Sequence, residues 1–314
     1  MNIFKRHKKF EEILADYLPR KEIQISRKAY LGYTRTTFLF TEWLKSNGLN
    51  DKPMYKITPY NIADFFVHVA AMGYDRPTCA KYFLLLQSIF RFAKKHGQID
   101  DVPFDKELIV FPKKKKDKSA ALIPSDIVPV LLADIKENDP QLFLACMLEY
   151  YCAVRPGREV RLVKVRNFDF TNGILSIDAE KAKNGKLGRI TMSEDLIQIC
   201  RDYGIEGANP EHYIFGKNKH IDTIPLSENM LRFRFNKYRD KYGLSKDIKL
   251  YSWKHMGASY LIHSKVVDIM QLKDHLRHAN LAMTQHYVKK VSGDHNQALK
   301  AQFPNPLKEA IWGN

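Results

Sequence analysis

The chain has 314 residues, 45% of them hydrophobic, with 18 Phe and 16 Tyr, which is enough apolar mass for two packed domains and excludes a disordered polymer. Lys and Arg outnumber Asp and Glu by 51 to 35, and the resulting net charge of +16 suits a polyanionic partner, nucleic acid before membrane. The sequence holds no run of about 18 apolar residues, and its start, MNIFKRHKKFEEIL, lacks an apolar signal core, so a membrane partner and a secretory leader are set aside and a cytoplasmic location is expected.

From residue 8 to about 97 the pattern is helical almost throughout. TTFLFTEWLKSNGL has apolar residues at helical spacing and stops at Asn47-Gly48. ITPYNIADFFVHVAAMG opens on a Thr58 cap with Pro59 in the first turn and stops at Gly73. RPTCAKYFLLLQSIFRFAKKHG has a broad apolar face and ends on Lys94, Lys95 and Gly97. These predict a compact helical domain over residues 1–105.

Periodicity then fails, and 106–122 reads as a linker containing the lysine run Lys113, Lys114, Lys115 and Lys116. The run is either solvated surface or a track for a phosphate backbone. Residues 123–314 form a second domain. SDIVPVLLADI, opening on a Ser125 cap, and DPQLFLACMLEYYCAV are helices. VRNFDFTNGILSIDA and GKLGRITMS carry hairpin signals at Asn172-Gly173 and Asn184-Gly185, which predict a small antiparallel sheet. Helix returns from SENMLRFRFNKY to QHYVKKV, and a polar tail follows. The fold expected is mainly α with a small antiparallel sheet, in two domains. Cys79, Cys146, Cys152 and Cys200 lack any CxxC pairing and read as buried free thiols in a reducing compartment.

LRHANLAMTQHYV places Tyr287 on a helical segment ahead of two lysines. A lone tyrosine normally packs. A phenol with an ordinary pKa near 10 attacks a phosphodiester only if its proton is accepted and positioned cations neutralise the developing charge. The chain supplies candidates in order: Arg155 in VRPGREV, Lys183 in KNGK, Lys254 and His255 in YSWKHMG, and His278. A metal reading of His275, His278 and His286 is set aside, because no Cys or carboxylate completes a zinc spacing.

In order and spacing these residues resemble the tyrosine recombinase, or phage integrase, family over about 125–290, and the helical N-terminal segment looks like that family's core-binding domain, of SAM-like fold. Tyr287 lies nine residues beyond His278, the family's spacing. The resemblance implies that Tyr287 is the nucleophile and that Arg155 binds the non-bridging oxygens of the scissile phosphate. It makes Lys183 the general acid toward the leaving 5′-oxygen, with Lys181 and Lys186 competing, and sets His278 against the phosphate or the nucleophile. The acid that the family places three residues after its first arginine is here Glu159, one residue later, so that either the turn is longer or the orienting role is lost. The family's His-x-x-Arg box is here Tyr251-Ser252-Trp253-Lys254. Lys254 is expected to bind phosphate as a point charge, with Tyr251 as site wall and His255 keeping the basic-His dipeptide. The glycine before the family's histidine is Arg277 here.

The resemblance implies an enzyme that breaks and rejoins double-stranded DNA through a 3′-phosphotyrosyl link, for integration, excision or inversion. It implies no cofactor or metal, and a homotetramer on synapsed core sites with inverted repeats. Little chain precedes the core-binding segment, which argues against a separate arm-binding domain. The tail 298–314, with LKEAIW as a short amphipathic helix, docks either on a neighbouring subunit or on its own domain. A catalytically decayed DNA-binding relative and a type IB topoisomerase are the alternatives.

Overall fold

The computed structural model describes residues 7–113, 120–182 and 185–289. The chain divides into two compact units at residues 118/119. Within the first, α1 (Phe10–Gln24), α2 (Arg27–Ser46), α3 (Pro59–Ala71) and α4 (Arg76–Lys95) surround one aromatic core. Their starts follow from local chemistry. The Thr58 hydroxyl accepts the Asn61 N–H while the Asn61 side chain accepts the Thr58 N–H, and Asp75 accepts the Thr78 N–H, so orphan donors of the first turns are satisfied. Asn47 ends α2, and Gly48 follows at φ +63 as the sequence predicted. At the centre the Phe40 ring meets Phe10 and Phe65 edge-on, with centroids 4.8 and 4.9 Å away. Ile109, from the segment read as linker, is buried in this same core.

The second unit begins with α5 (Ile127–Asn138) and α6 (Pro140–Cys152). Ser125 does not cap α5. Asp126 stands at that position without a side-chain bond, and the Pro124 carbonyl accepts the Ile127 N–H instead, a backbone turn that propensity alone does not reveal. Asp139 caps α6 through the Leu142 N–H. Its carboxylate also receives the Arg234 guanidinium from α9 (Met230–Lys241), and Arg234 Nη1 donates to Gln141 Oε1 at 2.7 Å, so a buried fork clamps α9 onto the start of α6. After α7 (Arg158–Arg161), strands β1 (Phe168–Asp169), β2 (Ile174–Ile177) and β3 (Gly188–Thr191) form an antiparallel sheet in the order β1-β2-β3, with Leu175 opposite Ile190, and α8 (Glu194–Asp202) follows. Gly173 and Gly185 take the left-handed conformations their turns require.

The last helices are α10 (Ser252–His263), α11 (Ile269–His275) and α12 (Ala282–Lys289). α10 lies against α6 so closely that a Cβ on Gly257 would come within 2.0 Å of the Tyr150 carbonyl oxygen. That approach brings the start of α10 beside the end of α6. α11 and α12 close over it, and Leu272, Leu276 and Tyr287 pack with Ala153 and Ala258. All four cysteines are buried and unpaired. Among the described residues, no helix is long and apolar enough to cross a membrane. The protein is mainly helical with a small antiparallel sheet. The tail 298–314 lies outside the described residues.

Candidate active site

Ala153, directly after α6, turns the chain at φ +49, and Gly157 follows at φ +96, so that VRPGRE folds back on itself. The turn brings Glu159 beneath Arg155. Arg155 donates through its backbone N–H to Glu159 Oε2 (2.9 Å) and through Nη1 to Oε1 (2.7 Å). The carboxylate that arrives one residue late in sequence therefore still grips the arginine. Burial alone would push the Glu159 carboxyl up; Arg277 and Arg155 override it and hold the group below its ordinary value.

Lys254, on the first turn of α10, has no exposed surface. Its ammonium donates to the Ala153 carbonyl at 2.7 Å and stands 5.9 Å from the Tyr251 ring centroid. Burial first, then Arg155 and Arg277, pushes its pKa down to about 7. Lys254 is thus turned inward onto the main chain at the end of α6 instead of standing in the open. Tyr251 is half-buried, and the His255 ring meets it edge-on at 4.9 Å.

Tyr287 is reached from the other side. It is 5% exposed, and its ring centroid lies 5.5 Å from that of His255 and 6.4 Å from that of His278. Burial, and then Tyr251, pushes its phenol above the ordinary range, while Arg155 draws it back. His278 Nδ1 pairs with the hydroxyl of Thr284 at 2.9 Å. Burial, followed by Lys254 and Arg155, lowers its pKa to about 4, which leaves the imidazole neutral at neutral pH. Arg155, Glu159, Tyr251, Lys254, His255, His278 and Tyr287 therefore come together from three stretches of chain. Lys183 lies outside the described residues. Of its competitors, Lys181 is held by Asp178 at 2.5 Å. Lys113 is exposed, and Lys114, Lys115 and Lys116 lie outside the described residues.

Two buried side chains here escaped the sequence reading, and a third was noticed there only as a departure from the family's glycine. Thr284 is fully buried under His278 and shows in sequence only as one polar residue of a helical turn. Glu149 is fully buried in α6 with neither carboxylate oxygen hydrogen-bonded, and burial raises it well above the ordinary carboxyl range although Lys254 opposes this. An acid inside the apolar run LFLACMLEYYC was the available signal. Arg277, where the resembled family has glycine, donates through Nη2 to Glu159 Oε2 (2.8 Å) and to the Ala153 carbonyl (3.0 Å). Beside Arg155 a cleft of about 440 Å³ opens between Pro156-Gly157 and α9, with Arg161, Arg232, Arg239, Lys246 and Lys249 along it. Such a row of cations suits a phosphate backbone.

Residues 121–292 match the model described as the phage integrase family. The chain is 23% identical over 246 residues to the tyrosine recombinase XerC of Natranaerobius thermophilus, covering 74% of this chain and 78% of that protein. It is 24% identical over 249 residues to the tyrosine recombinase XerA of Thermococcus kodakarensis, covering 79% and 82%. Among solved structures, the Tn1549 transposon integrase in complex with a circular intermediate DNA superposes with a TM-score of 0.74 at 15% identity, over 94% of this chain and 98% of that one. A lambda integrase dimer bound to a COC′ core site gives 0.70 at 17% identity, over 92% and 98%. At these identities the two structures speak for the fold alone.

Proposed function

The chain belongs to the phage integrase family, and from that premise we propose that it is a site-specific DNA recombinase whose Tyr287 breaks and rejoins strands through a 3′-phosphotyrosyl ester. The observation that carries this reading is that Tyr287 stands beside the His278 ring and in the field of Arg155, which Glu159 holds in place. The Tyr287 oxygen attacks the scissile phosphorus as the bond to the 5′-oxygen breaks. The phenolic proton passes to a base, for which the neutral His278 and the adjacent His255 are suited. The leaving 5′-oxygen takes a proton from Lys183 and becomes a hydroxyl. Arg155, oriented by Glu159, forks onto the non-bridging oxygens, and Lys254 adds charge from behind. Attack of a 5′-hydroxyl from a partner strand on the phosphotyrosyl ester reverses the step and exchanges strands, so the bond energy is conserved and no nucleotide cofactor enters.

In this reading the first unit is the core-binding domain. Lys113, Lys114, Lys115 and Lys116 lie along the backbone of a duplex carrying inverted-repeat half-sites, and four subunits act on two synapsed duplexes. The chain's setting is a mobile element, in the cytoplasm. A DNA-binding relative without chemistry is the second reading, favoured by the burial of Lys254. One experiment decides between them. The protein is offered nicked duplexes whose half-sites it has itself selected from a randomised pool, and covalent adduct is measured on denaturing gels. Adduct that disappears in Tyr287→Phe is the expected result. Adduct that persists in that variant removes Tyr287 as nucleophile, and binding without adduct establishes the DNA-binding relative.

A further inference from the structure

Arg277 occupies a position where the sequence gives no reason for a long charged side chain. Its backbone is left-handed at φ +53, a conformation that disfavours any residue with a Cβ. Its side chain is only 9% exposed, and neither Nε nor Nη1 has a hydrogen-bond acceptor among the described residues. Both features are costly, and an outlier retained at a site is a reason to look for its use.

The contacts supply one. Nη2 of Arg277 reaches Glu159 Oε2 and the Ala153 carbonyl, while Arg155 Nη2 donates back to the Arg277 carbonyl at 3.5 Å. Arg155 and Arg277 thus share one carboxylate and are joined a second time through backbone. Lys254 meets the same Ala153 carbonyl. The middle of the Arg277 side chain lies over Gly188, the first residue of β3: a Cβ there would stand 2.9 Å from its Cδ and 3.4 Å from Nη1. Gly188 closes the β2–β3 connection that contains Lys183, and the residue after Arg277 is His278. One side chain therefore touches the Arg155 turn and the base of the β2–β3 hairpin, and its backbone leads into His278.

Building on the recombinase reading, we propose that Arg277 is a positioning residue: from the loop before His278 it supplies the buried, forked cation that Lys254, a single point charge, does not, and so holds Arg155, the β2–β3 hairpin and His278 in one frame. Glu159 serves both arginines, which explains why this carboxylate stays ionised despite its burial. Gly188 is the complementary allowance on β3, since any larger residue would displace the guanidinium.

The test uses the full chain and the self-selected nicked duplex described above, with single-turnover adduct formation and duplex affinity measured side by side. Arg277→Gly should slow adduct formation by about 10–100-fold, the range for groups that orient a functional residue without touching the reacting atoms, with duplex affinity unchanged. Arg277→Lys should recover part of the rate, and Lys254→Arg combined with Arg277→Gly should exceed either single variant, because the fork is then delivered from the other side. Gly188→Ala, which moves Arg277 without deleting it, should slow adduct formation more mildly at an unchanged melting temperature; it decides the matter if Arg277→Gly does not fold. A wild-type rate in Arg277→Gly, or in Gly188→Ala where that variant decides, overturns the proposal. So does a combined variant no better than the singles with affinity and melting falling in step, since Arg277 would then only pack. Tyr287→Phe is run in parallel: adduct in that variant defeats the recombinase reading itself, a result separable from any behaviour of Arg277.

Discussion

In the first unit, the buried polar side chains among the described residues are Thr36, Thr37 and Gln98, none of them charged, and the core is a set of phenylalanine edges. In the second unit Asp139, Glu149, Glu159, Arg234 and Lys254 are buried alongside its aliphatic core. An uncharged core is stabilised by area and fit alone. Buried charges seldom add net stability, and they survive where geometry or chemistry demands them. In the second unit they sort accordingly: Asp139 and Arg234 clamp α9 to α6, and the remainder converge on the end of α6 where Tyr287 sits.

Four measurements break or sharpen this contrast, each by denaturant unfolding of the whole chain, with Trp43 reporting on the first core and Trp253 on the second. The largest expected effect is Phe40→Ala, a loss of about 3–5 kcal/mol from the first unit, because a fully buried ring leaves a cavity that its aromatic neighbours cannot fill. Arg234→Ala should remove about 3–5 kcal/mol from the second, since Asp139 is left charged and buried. Its distinguishing companion is Asp139→Asn with Arg234→Met, which keeps a cap for α6 and restores most of that loss; if the double variant is no better than the single, the pair is worth more than its replaceable charge. Next comes Glu149→Gln. The Glu149 carboxyl is raised in the folded state, so its proton stabilises the fold at low pH, and that stability drains away as pH climbs above the ordinary value of 4.5 toward the folded one. Wild type and Glu149→Gln should therefore match in acid, and the variant should become the more stable as pH rises; parallel curves would mean that Glu149 is not protonated inside the fold. Smallest is Lys9→Ala, which deletes an exposed pair with Asp51 and should leave the unfolding midpoint in place.

The elements of both units were legible in sequence where local chemistry decides them. Thr58-Pro59, Asn47-Gly48 and the Asn172-Gly173 turn act within a few residues of themselves. Ser125 misled because a backbone turn at Pro124 took the place of its hydroxyl. At the site, Tyr287, Arg155 and His278 were visible through spacing. What Glu159 does was not, since the family's spacing puts it a residue out of register, and the left-handed turns at Ala153 and Gly157 bring it back. Arg277 was noticed only as a departure from glycine: its partners Glu159, Ala153 and Gly188 are remote in sequence, and long-range packing of that kind leaves no periodic trace.

The carbonyl of Ala153 receives both Lys254 and Arg277. It is one of the oxygens left over at the end of α6, where the aligned peptide dipoles of the helix leave a partial negative charge of about half an electron. The helix end acts as a counter-ion made of main chain, and no side-chain substitution can delete it. Point changes along the face of α6 should leave this anchor in place, whereas a one-residue insertion or deletion before Ala153 would rotate the oxygen away and release both cations together.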